Sequence, residues 1–159
     1  MSAARHWLMK SEPDVFSIDD LALKGTTGWD GVRNYQARNF MREMRVGEAV
    51  LFYHSNAEPS GAAGTAVVVR AAYADPTQFN PNNDRFDPRA TADKPVWFQV
   101  DVRFVSKFPR FISLEELRGI NELSDMMLFR RSRLSVQPLT KAQWTAIARR
   151  GRRGSSPRD

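Results

Sequence analysis

Residues 96–104 carry the clearest alternation of apolar and polar side chains in this chain. Every second position in the run is Val or Phe, and the positions between them are Trp, Gln, Asp and Arg. Successive side chains of a β-strand point to opposite faces, so this period of two predicts a long strand with one buried face. The fold must therefore contain a sheet, and the partner strands must come from other apolar runs.

Four shorter runs supply candidate partner strands. They are 6–10, 49–54, 65–73 and 134–138. A turn-forming segment at 56–61 separates the second and third runs, which together predict a hairpin with a longer loop. The last run alternates like a strand and is expected to stop at Pro138, because proline has no N–H to donate to its neighbour.

Four segments are predicted to be helical because each begins with a residue that caps helix N-termini. Ser17 is followed three positions later by Asp20, and Gly25 ends this first helix. Asn34 precedes residues 35–44, whose apolar side chains recur at helical spacing. The other two predicted helices open at 113 and 140 and end near 119 and 148.

The strands and helices do not alternate regularly along the chain, which argues against a doubly wound parallel sheet. About five or six strands with several short helices instead predict an α+β fold, a small, strongly curved mixed sheet or barrel with helices packed at its ends. Residues 75–95 contain four prolines and three asparagines. We expect a long surface loop there, which is a candidate cover for a binding site.

The composition excludes several classes of protein. A length of 159 residues fits one domain. The absence of cysteine rules out disulfides, thiolate metal sites and a thiol nucleophile, and two histidines leave little for a metal site. We therefore expect no metal and no cofactor. No run of about 20 apolar residues and no secretory pattern occurs, so we expect a cytoplasmic protein.

The formal net charge of +6 is concentrated at one end of the chain. Residues 149–159 contain five arginines and one acid, which leaves +2 for the rest. We predict a single domain over residues 1–148 followed by an arginine-rich, disordered tail over 149–159. The tail is either a solvated end or a source of salt-sensitive attraction to nucleic acid, whereas the near-neutral body cannot depend on many phosphate contacts.

Four segments at strand ends or helix starts combine aromatic and hydrogen-bonding residues densely: 10–13, 29–38, 53–56 and 132–138. Flat heteroaromatic bases are held by stacking on aromatic side chains, while a few polar groups read the base edge. Trp29, Tyr35 and Tyr53 offer stacking faces. The polar candidates around them are Lys10, Ser11, Arg33, Asn34, Gln36, Arg38, Ser55, Ser135 and Gln137.

Each of these residues also has a purely structural interpretation. The aromatic side chains could be core residues, Arg33 and Arg38 could brace a loop, and Gln137 could satisfy a backbone group. His54 is more easily explained as a structural histidine than as a catalytic one, because no nucleophile motif and no paired carboxylates accompany it. Neither the Walker pattern nor the dinucleotide fingerprint occurs.

Several motifs in one order resemble the EVE domain family. They are WLMKSEP (7–13), WDGVRNYQARN (29–39), LFYHSN (51–56), DPTQF (75–79) and RLSVQP (133–138), and the match spans residues 6–148. The resemblance implies a PUA-like fold, a curved β-barrel with peripheral helices related to the YTH, SRA and ASCH groups. It also implies a reader of modified bases, notably modified cytosines, in DNA or RNA. The ligand-binding residues that it implies are Lys10, Ser11, Trp29, Asn34, Tyr35, Arg38, Tyr53, His54, Ser55, Ser135 and Gln137.

The leading hypothesis is a non-catalytic domain that flips a modified base out of its stack and encloses it in an aromatic and polar pocket. The alternative is a hydrolytic enzyme of the ASCH type, a nuclease or amidohydrolase, in which Lys10, Glu12 and His54 meet in one pocket. A third interpretation is a protein-binding adaptor whose pocket is closed. The placement of these side chains around a cavity distinguishes the three.

Overall fold

The predicted long strand is present, and it is longer than the alternating run. The computed structural model describes residues 4–153. Its strands are β1 (His6–Ser11), β2 (Thr26–Gly28), β3 (Ala49–His54), β4 (Gly61–Ala74), β5 (Phe98–Ser113) and β6 (Val136–Leu139). Its α-helices are α1 (Ile18–Lys24), α2 (Tyr35–Glu43), α3 (Leu114–Arg118), α4 (Met127–Arg130) and α5 (Lys141–Arg153), and two 3₁₀ helices span Pro76–Phe79 and Asn121–Leu123.

The six strands form one mixed sheet in the order β2-β5-β4-β3-β1-β6. The β1–β3 pair is parallel and the other pairs are antiparallel. This confirms the α+β, PUA-like expectation, but the predicted barrel is not closed, because β2 and β6 remain at the two edges over residues 4–153. Both edge strands are short, and Pro138 lies within β6 instead of ending it, which an edge strand tolerates.

Both faces of the sheet are buried. Along β3, Val50 and Phe52 belong to one apolar cluster, whereas Leu51 and Tyr53 belong to a second cluster on the opposite face. Helices α1 and α2 cover the first cluster and α3 and α5 cover the second, and each helix contributes buried apolar side chains. Those side chains are Ile18, Leu21 and Met41 on the first face, and Leu117 and Ile147 on the second.

The predicted helix caps are confirmed, but the end of the last helix is not. Ser17 and Asp20 form a reciprocal capping box, and Ser113 accepts a hydrogen bond from the N–H of Glu116. Helix α5 continues to Arg153, so the boundary predicted after 148 lies inside a helix. Gly151 lets the end of α5 pack closely on β5, because a Cβ there would lie 2.4 Å from the Phe108 ring. The rest of the predicted tail, 154–159, lies outside the described residues.

No helix in the described ranges is long and apolar enough to cross a membrane.

Strand β2 was not predicted: its Thr-Thr-Gly sequence has no apolar run, and it forms by pairing with β5.

The loop between β4 and β5 is anchored at buried points, which a plain surface loop would lack. Gln78 is fully buried, and its side-chain amide donates to the carbonyls of Asp75 and Trp97 at 2.8 and 2.7 Å. The same amide accepts from the N–H groups of Val96 and Trp97 at 2.9 and 2.8 Å. Farther along, Asp87 accepts from the Trp97 indole at 2.8 Å. The two ends of the loop are therefore held together.

Replacing Gln78 with Met is expected to lower the free energy of unfolding by about 3 to 5 kcal/mol, because the N–H groups of Val96 and Trp97 would lose their acceptor and the carbonyls of Asp75 and Trp97 would each lose one donor in a buried site. Urea denaturation measures this change. The matched substitution Gln36→Met, at a partly exposed position whose amide hydrogen-bonds only Arg131 within residues 4–153, is expected to stay within about 0.5 kcal/mol of the wild type. Equal effects of the two variants would contradict the anchoring role.

Candidate functional site

A cleft of about 660 Å³ opens on the α1 and α2 side of the sheet. Its walls come from the end of β1, the turn before α1, the segment that follows β2, and the tip of the β4–β5 loop. The side chains and backbone that line it belong to Lys10, Ser11, Val15, Phe16, Lys24, Thr27, Gly28, Trp29, Asp30, Gly31, Thr77, Asn82, Asn83, Asp84 and Arg85.

Trp29 forms the aromatic part of the wall. Its backbone N–H donates to the carbonyl of Val100 at 2.8 Å, which continues the pairing of β2 with β5. Its ring meets Phe52 edge to face, with centroids 5.4 Å apart, and the residue keeps 7% of its surface exposed. Phe16 is the second aromatic residue in the wall. The core therefore fixes Trp29 on one side and leaves it in contact with the cleft on the other.

Two glycines let the wall approach its neighbours closely. A Cβ on Gly28 would lie 2.3 Å from the amide nitrogen of Gln99. Gly31 has a φ of +79°, which β-carbon-bearing residues rarely adopt, and its N–H donates to Asp75 at 2.8 Å. The segment 28–31 therefore reaches the base of the β4–β5 loop.

Asp75 joins the two walls of the cleft. It is fully buried, and it accepts from the Arg33 guanidinium at 3.1 Å and from the hydroxyl of Thr77 at 2.6 Å. Burial alone would raise the pKa of Asp75, but the hydrogen bonds from Thr77, Gly31 and Arg33 hold that pKa below its ordinary value. Arg33 also donates to the carbonyl of Arg85 at 2.7 Å, so it braces the loop tip.

Asp30 is the acidic group of the wall nearest Trp29 in sequence. Burial raises the pKa of its carboxyl group, and the charge of Asp75 raises it further, against the lowering effects of Lys24 and Arg33. Its carboxylate makes no hydrogen bond or ion pair with the rest of residues 4–153. Asp30 is therefore an acceptor available to a ligand in the cleft.

Of the eleven predicted site residues, the structure brings three together in this cleft: Lys10, Ser11 and Trp29. Lys10 donates through Nζ to the carbonyl of Ser132 at 2.9 Å, and burial lowers its pKa. Ser11 donates to the carbonyl of Phe16 at 2.5 Å. The other eight residues do not line the cleft.

Two of those eight lie on the opposite face of the sheet. Tyr53 is 2% exposed in the second apolar cluster, where burial raises its pKa to about 12. Gln137 is paired with Leu8 of that cluster and is fully buried, and its amide donates to the carbonyl of Leu134 at 3.0 Å. The structural interpretation of Gln137 therefore describes its contacts correctly.

Three others support the start of α2. Asn34 is its N-cap and accepts from the N–H of Ala37 at 2.9 Å. Tyr35 is half exposed and stacks on Trp97, with ring centroids 4.9 Å apart. Arg38 donates to the carbonyl of Val96 at 2.9 Å and lies over the Tyr35 ring. These contacts tie α2 to the end of the β4–β5 loop, outside the cleft.

The remaining three stabilise strand ends. The backbone N–H of Ser55 donates to the carbonyl of Ser11 at 3.0 Å, and the carbonyl of Ser135 accepts from the N–H of Lys10 at 2.8 Å. His54 accepts at Nε2 from the N–H of Ile18 at 3.1 Å, so it caps the start of α1. Ser55 and Ser135 make these contacts through their backbone, and His54 makes its contact through its ring.

The residues considered for hydrolysis do not converge. Glu12 accepts from the Asn56 amide at 2.5 Å, and neither Glu12 nor His54 lines the cleft with Lys10. Within residues 4–153, no group of three or more His, Cys, Asp or Glu side chains is placed to hold a metal ion.

Part of the wall that sequence reasoning missed comes from the β4–β5 loop, whose residues 82–85 meet the cleft. The only sequence signal for them was the unusual length and the Asn and Pro content of residues 75–95. Phe16 and Lys24 were missed because they lie outside the dense polar segments.

The comparisons with known proteins agree on one family. The EVE domain pattern matches residues 5–150. The chain belongs to the EVE domain family. It is 49% identical to human thymocyte nuclear protein 1 over 161 residues, which cover 89% of this chain and 72% of that protein.

Two solved structures show the same fold throughout. A hypothetical protein from Leishmania major has a TM-score of 0.92 and 50% identity, covering 95% of this chain and 96% of that one. Human THYN1, solved in complex with DNA that contains 5-methylcytosine, has a TM-score of 0.91 and 45% identity, covering 97% of this EVE domain and 100% of that chain.

His54 is expected to make the stability of this EVE domain pH-dependent. Burial lowers the pKa of its imidazole below 6.5, nearby Lys107 lowers it further, and Asp19 opposes both. Between the folded and the unfolded pKa of His54, the unfolded chain then binds more protons than the folded one. The free energy of unfolding is therefore at its full value, as far as His54 is concerned, above about pH 6.5, and it falls as the pH is lowered from there through the folded pKa.

Urea unfolding at about pH 7 and about pH 5 tests this expectation. His54→Gln keeps a neutral acceptor, so its free energy of unfolding should depend less on pH than that of the wild type. His6, whose pKa burial also lowers, contributes equally to both proteins. An unchanged pH dependence in the variant would exclude the assigned role.

Proposed function

We propose that this EVE domain is a non-catalytic reader of a modified cytosine in DNA, and that the cleft beside Trp29 receives the flipped base. The observation that carries the proposal is the cleft itself, which combines an anchored tryptophan, an unpartnered carboxylate and the cations Lys10, Lys24 and Arg85. The binding of 5-methylcytosine DNA by human THYN1 supports it.

The size of the cleft suits one nucleotide. Ligand sites of small molecules have volumes of roughly 300 to 1,000 Å³, and the cleft has about 660 Å³. Extruding a base from a duplex costs a few kcal/mol in lost stacking and pairing. Stacking on an aromatic side chain recovers about 1 to 3 kcal/mol, so contact with Trp29 and hydrogen bonds to the base edge are both needed.

The polar part of the wall suits cytosine. A carboxylate accepts a hydrogen bond from the exocyclic N4 amine of cytosine, whereas thymine presents an acceptor at the equivalent position. Asp30 is exposed to the cleft and unpartnered among the described side chains, and it follows Trp29 directly. Val15 and Phe16 add apolar surface against which a methyl group on the base can pack.

Trp29→Ala is expected to weaken binding to a duplex with one 5-methylcytosine by about 1 to 3 kcal/mol, the contribution of one stacked base. Fluorescence anisotropy measures the affinity, and urea unfolding confirms that the variant is folded under assay conditions. Tyr35→Ala is the matched control, because it removes an aromatic ring outside the cleft. The proposal is wrong if Trp29→Ala binds like wild type or if no duplex binds.

Asp30→Ala tests how the base is read without disturbing the core. Removing this carboxylate should reduce discrimination between a 5-methylcytosine and a thymine at the same position by about 1 to 3 kcal/mol. Affinity for the thymine duplex should not fall with it, since an anionic side chain that makes no hydrogen bond to thymine is lost. Both affinities are measured on duplexes that carry the 5-methylcytosine or the thymine opposite the same mismatched base. Unchanged discrimination would remove Asp30 from the proposed site.

A further inference from the structure

The arginines that the sequence placed beside the ligand are engaged within the protein. The guanidinium of Arg33 contacts Asp75, the hydroxyl of Thr77 at 2.9 Å and the carbonyl of Arg85. The guanidinium of Arg38 contacts the carbonyl of Val96 and the side chain of Asn39. If the cleft receives a nucleotide, cations other than Arg33 and Arg38 are left to contact the phosphates on either side of it.

Residues 130–133, which we call the arginine loop, carry three arginines in four positions. Arg130 donates to the carbonyl of Asp125 at 3.0 Å, and Arg131 donates to the side-chain oxygen of Gln36. Residues 131–133 are exposed, and Arg133 makes no hydrogen bond or ion pair with residues 4–153. No carboxylate of that part of the chain pairs with any of the three guanidinium groups, so their charges are uncompensated.

The arginine loop is fastened to the wall of the cleft. Lys10, which lines the cleft, donates through Nζ to the carbonyl of Ser132 and through its backbone N–H to the carbonyl of Ser135. On the other side, Gln36 in the first turn of α2 holds Arg131. The loop therefore lies at the rim of the cleft, on the same face of the sheet as Trp29.

The chemistry of the loop suits a phosphate backbone. Guanidinium groups bind phosphate oxygens through paired N–H donors, and several arginines in sequence match anions that repeat along a strand. A flipped base brings its own two flanking phosphates to the mouth of the site that encloses it.

We propose that the arginine loop binds the phosphates that flank the base in the cleft, and that it supplies sequence-independent affinity while the cleft supplies base preference. This inference rests on the proposed function, and it assigns the two parts of the affinity to different residues. Contacts with phosphates fix the register of a protein on nucleic acid without reading sequence.

The experiment compares wild type with Arg131→Gln/Arg133→Gln on a 5-methylcytosine duplex and its unmodified counterpart, between about 50 and about 200 mM NaCl. Losing two phosphate contacts should make the slope of log affinity against log salt shallower by about 1.8, so wild type loses about twelve-fold more affinity than the variant over this range. The ratio of affinities for the two duplexes should stay unchanged.

Arg149→Gln/Arg152→Gln is the matched control. It removes the same charge from exposed positions on α5, which packs on the opposite face of the sheet through Ile147. Its slope of log affinity against log salt should change by less than half as much as that of Arg131→Gln/Arg133→Gln. Thermal unfolding followed by circular dichroism shows whether both double variants are folded.

The outcomes separate the two proposals. If wild type prefers the modified duplex and Arg131→Gln/Arg133→Gln keeps the wild-type slope, the arginine loop proposal is overturned and the proposed function stands. The same proposal is overturned if the control changes the slope equally, or if the loop variant loses the preference for the modified base. If wild type binds neither duplex at about 50 mM NaCl, both proposals are overturned.

Discussion

The buried carboxylate of Asp75 is the interaction on which the cleft depends. It holds the segment after β2 against the β4–β5 loop by accepting from Gly31, Arg33 and Thr77. A buried carboxylate is tolerated only where such donors replace its hydration. Separating Asp75 from any of its three partners would therefore destabilise the fold. The gap between the two walls therefore has a defined width, which a flat ligand requires and which two independent surface loops could not provide.

The parts of the fold that follow from local chemistry could be predicted. Alternation predicts β5, and capping side chains predict where α1, α2 and α3 begin. The errors have a different origin. The last helix is predicted to end near 148, yet α5 continues through Gly151, where Phe108, far away in sequence, leaves no room for a Cβ. Likewise, β2 exists only because β5 lies beside it.

In the site, too, the placement of some residues follows from their neighbours in the sequence, and that of others depends on distant partners. The motif at 51–56 suggests one binding element, but neighbouring strand residues point to opposite faces, so Tyr53 cannot face the cleft when Phe52 packs on Trp29. The strand period alone shows that Tyr53 cannot share a face with Phe52 or His54, but it does not show which face bears the cleft. For Arg33 and Arg38 the sequence left loop bracing and ligand contact both open, because their partners Arg85 and Val96 lie more than 50 residues away in the chain.

The open edges of the sheet bear on strand addition between molecules. An exposed edge is a template for strand addition between molecules, and proteins protect such edges by keeping them short or by placing proline there. Strand β2 is three residues long, and β6 is four residues long and includes Pro138. Neither edge offers a continuous row of donors and acceptors to another chain. Over residues 4–153, the open sheet therefore presents little backbone to which a strand of another molecule could add.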